Sequence, residues 1–169
     1  EDVATALTGI SIADVDAASA SMLVTLGVPT GSIAATSGGG VTVGGTASAL
    51  TLSGTIADIN AFVAGSNVAY TTAADANGSV TLTVLTSDQG STGSGGTLTD
   101  SDAVTLNITA VNDAPVLTGA SLTLSEGETV TLGGASVGLS DPDSGSFTYT
   151  VSGLSGGAFQ LSSAAGVPI

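Results

Sequence analysis

Apolar and polar residues alternate with a period of two along much of the chain, which is the mark of strands with one buried face. The clearest runs are Ser21–Leu26 (SMLVTL), Ala49–Ser53 (ALTLS), Ser79–Thr86 (SVTLTVLT), Ala103–Val111 (AVTLNITAV), Ser121–Ser125 (SLTLS), Thr129–Leu132 (TVTL) and Phe147–Val151 (FTYTV). Turn-forming clusters separate them at Ser37–Gly40, Gly44–Gly45, Gly90–Gly96 and Ser155–Gly157. Asn77-Gly78 lies between two strand-like runs and predicts a hairpin turn, since both residues tolerate positive φ. Many short strands at this spacing predict an all-β fold, an antiparallel β-sandwich. One segment breaks the pattern. Thr55–Ala64 (TIADINAFVA) carries Ile56, Ile59, Phe62 and Val63 at helical spacing, with Thr55 placed to cap and Asp58 at the third helical position. It predicts one or two helical turns packed on the core.

An internal repeat sets the domain count. Glu1, Leu7 and Gly9 recur as Glu126, Leu132 and Gly134, 125 positions on. The two-carboxylate loop Asp14-Val15-Asp16 recurs as Asp141-Pro142-Asp143, 127 positions on, so a short insertion separates the two matches. Between the copies lies Val111-Asn112-Asp113-Ala114-Pro115-Val116, where proline cannot continue a central strand. The predicted domains are therefore 1–112 and 113–169, the second being about half a sandwich and too small for a closed core of this type.

Composition narrows the chemistry. The 169 residues include no Lys, Arg, His, Cys or Trp, and 14 Asp and Glu leave a net charge of −14. Nucleic acid is excluded as a partner on this reading, because nothing here neutralises phosphate. An anionic lipid surface is excluded for the same reason. No apolar run approaches the roughly 18 residues of a membrane span, so membrane insertion is not expected. Without His, Cys or Lys the usual general bases, thiolates and Schiff-base amines are missing, and the chain is not expected to be an enzyme. A glycosidase built on paired carboxylates is the remaining enzymatic option, and these acids sit in turns rather than across a cleft. The soft-metal ligands are missing too, which leaves carboxylates, amides, hydroxyls and carbonyls, a donor set suited to calcium. There is no basic n-region at Glu1, and the chain reads as part of a longer one.

The stretches EDVATALTGISIADVDA, GTIADINAFVAGSNVAYT and NGSVTLTV, with TDSDAVTLNITAVNDAPV leading into the connector, resemble the bacterial cadherin-like (VCBS-type) tandem repeats of giant secreted RTX-type adhesins. The stretch LSEGETVTLGGASVGLSDPDSGSFTYTVSG is similar to a proteoglycan-type (CSPG-like) cadherin-like repeat. The resemblance implies Ig/cadherin-like β-sandwich repeats in tandem, on the bacterial cell surface or outside the cell, with a first strand ahead of Glu1. It implies a structural role. Such a chain is an extender of an adhesin, filament or surface layer in cell adhesion or biofilm assembly, with neighbouring repeats of the same chain, or identical chains in a filament, as partners. A carbohydrate- or surface-binding module is the alternative.

In a seven-strand sandwich the first and last strands run the same way, so the loops after the first, third and fifth strands lie where the last strand exits. That places Asp14, Asp16, Asp75 and Asn77 beside Asn112 and Asp113, and Asp88, Asp100 and Asp102 around the last loop at the other end, with Asp100 and Asp102 read as turn acids. The cadherin-like pattern adds Glu1, and the repeat adds Glu126, Asp141 and Asp143 as counterparts. Carboxylates gathered in this way either hold a cation or keep one of their number protonated, and the alternative for Asp14-x-Asp16 and Asn112-Asp113 is that they form Asx turns. The candidate metal set for Ca2+ is Glu1, Asp14, Asp16, Asp75, Asn112, Asp113, Glu126, Asp141 and Asp143.

Overall fold

A computed structural model describes residues 1, 3–91, 94–133, 136–150, 152, 153 and 155–158. Gly134 of the repeat, Val151 of the last strand-like run, Phe159 and two residues of the Gly90–Gly96 cluster lie outside the described residues. The described chain is mostly β, with antiparallel sheets and one short helix. It divides into two units, Glu1–Val111 and Asn112–Ile169.

The first unit holds β1 (Thr5–Ala6), β2 (Ser21–Gly27), β3 (Ser32–Ala35), β4 (Thr42–Thr46) and β5 (Ala49–Thr55), then α1 (Ile56–Ala64), β6 (Val68–Thr71), β7 (Gly78–Ser87) and β8 (Thr99–Ile108). Five strands form one sheet in the order β4-β5-β2-β7-β8, and three form another in the order β1-β6-β3. The period-two pattern explains which side chains go inward. Met22, Val24 and Leu26 of β2, Leu50 and Leu52 of β5, and Leu82 and Val84 of β7 are buried while their neighbours along each strand are not. Ile33, Val68 and Tyr70 enter the same core from the three-stranded sheet, and Ile59, Phe62 and Val63 enter it from the helix. The helix starts as its sequence predicts. The Thr55 hydroxyl accepts the Asp58 N–H at 3.1 Å and donates to the Asp58 carboxylate at 2.7 Å. Asn60 on the same helix binds both the N–H and the C=O of Ile12 at 2.9 Å, standing in for a strand partner and holding the segment after β1 in place.

Several expectations are corrected. Asn77-Gly78 does not close a hairpin. β6 pairs with β1 and β3, and β7 pairs with β2 and β8, so residues 72–77 cross from one sheet to the other. Gly78 still needs its freedom, with φ of 88°. Gly44 and Gly45 are not a turn but lie inside β4. There Gly45 has φ of 80°, and a Cβ would strike the Ala49 carbonyl. β8 begins at Thr99, so Asp100 and Asp102 are strand residues rather than turn acids.

The strand count also matters for direction. Consecutive strands alternate, and the described first unit has eight of them rather than seven, so β1 and β8 run in opposite directions. Glu1 and Val111 consequently meet at one end, where the Val111 N–H donates to Glu1 Oε2 at 2.9 Å.

In the second unit β9 (Val116–Ala120) pairs antiparallel with β10 (Val137–Ser140), with an irregularity between Gly138 and Leu139. The strand-like runs Ser121–Ser125 and Thr129–Leu132, and the described part of Phe147–Val151, form no strand. Alternation predicts a strand only where one face is covered. Here Leu122, Leu124, Val130 and Leu132 are all more than a third exposed.

Candidate metal centre

Among the described residues, one group of three acids brings its carboxylate oxygens within 4.8 Å of one another: Glu1, Asp75 and Asp113. Each is placed by the chain's route through the first unit and out of it. Glu1 stands ahead of β1, and its Oε2 takes the Val111 N–H. Its Oε1 is buried with no hydrogen-bond partner. Asp75 sits in the sheet-to-sheet crossing at φ of 55°, a backbone region that Asp and Asn enter more readily than most residues. Asp113 is two residues past Val111, so its nearness to Glu1 follows from covalent connection. Unit charges about 4.8 Å apart repel by roughly 1 kcal/mol where water reaches them, as at exposed Asp75. A buried oxygen lacking a donor, in a set made only of carboxylates, fits a hard cation such as calcium.

The remaining candidates have other roles. Asp14 Oδ1 accepts the N–H groups of Asp16 and Ala17, both at 3.1 Å. Asp141 Oδ1 accepts those of Asp143 and Ser144, at 2.9 and 3.0 Å. The repeated Asp-x-Asp loop thus builds the same Asx turn in both units. Asp14 and Asp16 do not converge on Glu1. They border the same cleft as Asp88 and Asp100, at the far end of the first unit, because the eighth strand reverses the expected direction of β1. Asp143 Oδ2 accepts the Asp113 N–H at 2.8 Å, fixing the start of the second unit. The Asn112 side chain donates to the Asp113 carbonyl at 3.0 Å. Glu126 is exposed and joins no cluster, while its neighbour Glu128 accepts the Ser125 N–H at 2.9 Å.

Sequence reasoning gave Asp88 no particular task, yet it is the buried acid of the first unit. Its Oδ1 accepts the N–H groups of Gly90 and Leu98, both at 2.8 Å, and so ties together the two ends of the β7–β8 loop. These bonds favour the charged form and hold its pKa below the ordinary carboxylate value, against the opposing effect of burial. A signal was present: a single acid at the start of a long glycine-rich loop has many unpaired N–H groups to collect. A depressed folded-state pKa adds stability above the unfolded pKa, and that stability is lost as pH falls through the folded value. Asp88→Asn is therefore expected to lower the thermal midpoint at pH 7, and the gap from wild type to narrow as pH falls below the ordinary carboxylate value. Melting curves between pH 2.5 and 7 check this, and a constant gap would show that the charge is irrelevant.

Comparison with family models, with curated proteins and with solved structures gives no match for this chain.

Proposed function

We propose that the two units are tandem repeats of the Ig/cadherin-like β-sandwich kind, and that the chain is an extender segment of a secreted bacterial surface adhesin or filament. Calcium at the junction stiffens the connector between repeats, and the segment serves cell adhesion or biofilm and surface-layer assembly outside the cell. The observation that carries this reading is the Glu1–Asp75–Asp113 carboxylate trio, located where the chain leaves its first unit. The repeated Asx turn supports a tandem origin. Sugar-binding platforms use several exposed aromatic faces, whereas Phe62 and Tyr70 are buried and Tyr149 is the one large exposed aromatic among the described residues, which disfavours the carbohydrate-binding alternative. On this reading the partners are neighbouring repeats or identical chains, and no catalysis is involved.

Calorimetric titration with calcium tests the proposal. Asp113→Ala is expected to weaken binding at least tenfold, and Asp88→Ala to leave it unchanged. Chelation is expected to lower the melting temperature. At free calcium one hundred times its dissociation constant, linkage contributes about 2.7 kcal/mol. A titration without heat, together with melting indifferent to chelator, would sink the calcium reading.

A further inference from the structure

The outward face of the five-stranded sheet in the first unit carries no charge. Alternation sends one side of β2, β5 and β7 into the core and turns the other side out. The register lines up the outward residues in rows across the strands. One row runs Gly44, Thr51, Thr25, Leu85 and Ser101. Each residue of that row is exposed or half-buried. The rows on either side are of the same kind, made of Ser, Thr, Gly and Ala with Leu23 as the second large apolar residue. Asp100 and Asp102 of β8 lie on the other face, opposite Thr86 and Val84. No outward position of these five strands is Asp or Glu, in a chain with 14 of them.

We propose that this face is an interface at which two copies of the chain stack sheet on sheet about a twofold axis. Three observations favour a second copy as the occupant. The chain has a net charge of −14 and no cationic side chain, so copies repel wherever their acids face one another, and here no acids do. A hydroxyl both donates and accepts hydrogen bonds, so a face of Ser and Thr is complementary to itself, as a twofold interface requires. The threonine methyls, with Leu23 and Leu85, add apolar area that stacking removes from water. The size also fits. Five strands about 4.8 Å apart, with seven residues in β2 and in β5, give a face of roughly 600 Å² per copy. Two copies bury about 1,200 Å², the lower end of specific interfaces, so the association is weak and dilute melts read the separate chain.

The geometry fixes where such a pair is most sensitive. β2 is the middle strand of the five, and Thr25 lies near its middle. Full overlap of the two faces puts the axis over their centre, so Thr25 of each copy comes close to Thr25 of the other. Glu1, Asp75 and Asp113 are not on this face, so stacking uses no metal ligand. The inference goes beyond the extender reading by giving identical chains a lateral contact that no cation has to bridge.

Sedimentation velocity at rising concentration, in calcium and again in chelator, tests the proposal on the whole chain. Wild type is expected to pass from monomer to dimer alike in both buffers. Thr25→Glu and Thr25→Lys are each expected to weaken the dimer at least tenfold, because like charges then meet across the axis. An equimolar mixture of the two is expected to associate at least fivefold more tightly than either alone. Ala57→Lys, on the exposed side of α1, is expected to give no such rescue of Thr25→Glu. Dilute melts within a few degrees of wild type show that the variants fold, and Thr83→Glu in the next row replaces Thr25→Glu if they do not. A wild type that stays monomeric, a Thr25→Glu dimer as tight as wild type, or a mixture no tighter than its parts would overturn the assignment. So would a dimer lost in chelator, or a monomer that binds neutral polysaccharide through this face, since the occupant would then be a glycan. Calcium titration is read separately, so failure here leaves the metal reading standing.

Discussion

Leu52→Ala is expected to lower the stability of the first unit by about 3 kcal/mol, the middle of the range for emptying a buried leucine site. Leu52 is fully buried in the middle of β5, opposite Val24 of β2 on one side and Val43 of β4 on the other. Strands hydrogen-bonded on both sides cannot shift to refill the space, so the cavity persists. For a unit of this size the thermal midpoint falls by roughly 10–20 °C. Leu85→Ala is the control, because Leu85 lies on the outward face of β7 and is 40% exposed. It is expected to change the midpoint by only a few degrees. Denaturant melts of both variants check the pair, and equal losses would mean that the outward face is covered in solution.

Asp75→Asn is expected to change sign with calcium. In chelator the substitution removes one of three mutually repelling charges and raises stability, by up to about 1 kcal/mol at this exposed position. With calcium at one hundred times the wild-type dissociation constant it removes a ligand, and most of the linkage term of about 2.7 kcal/mol is lost. Asn keeps the tolerance for positive φ that residue 75 requires, so backbone strain does not obscure the result. Thermal melts of wild type and variant in both buffers read the inversion. A variant that is destabilised equally in both would mark Asp75 as a turn residue and nothing more.

These outcomes show which parts of the molecule were legible in its sequence. β2, β5, β7 and α1 were readable because each has one face in the core, and burial is what imposes a period of two or of 3.6. The short strands β3, β4 and β6 have four or five residues each, too few for alternation to stand out from glycine-rich surroundings. Leu122 and Leu124 alternate as well as any core strand, yet form none, since pattern alone supplies no partner. The Glu1–Asp75–Asp113 trio was foreseen as part of a larger gathering. Asp14 and Asp16 were misplaced because one additional strand reverses every later direction, and strand count is a global property that no local window contains. Asp88 was missed because its role depends on a loop closing back upon it.

The hydrogen bond between Glu1 and Val111 has a mechanical consequence. A pull on the connector after Val111 would load that bond first. Behind it stands β8, which among the described strands pairs with β7 alone, so the outermost ladder would carry the strain before the core does.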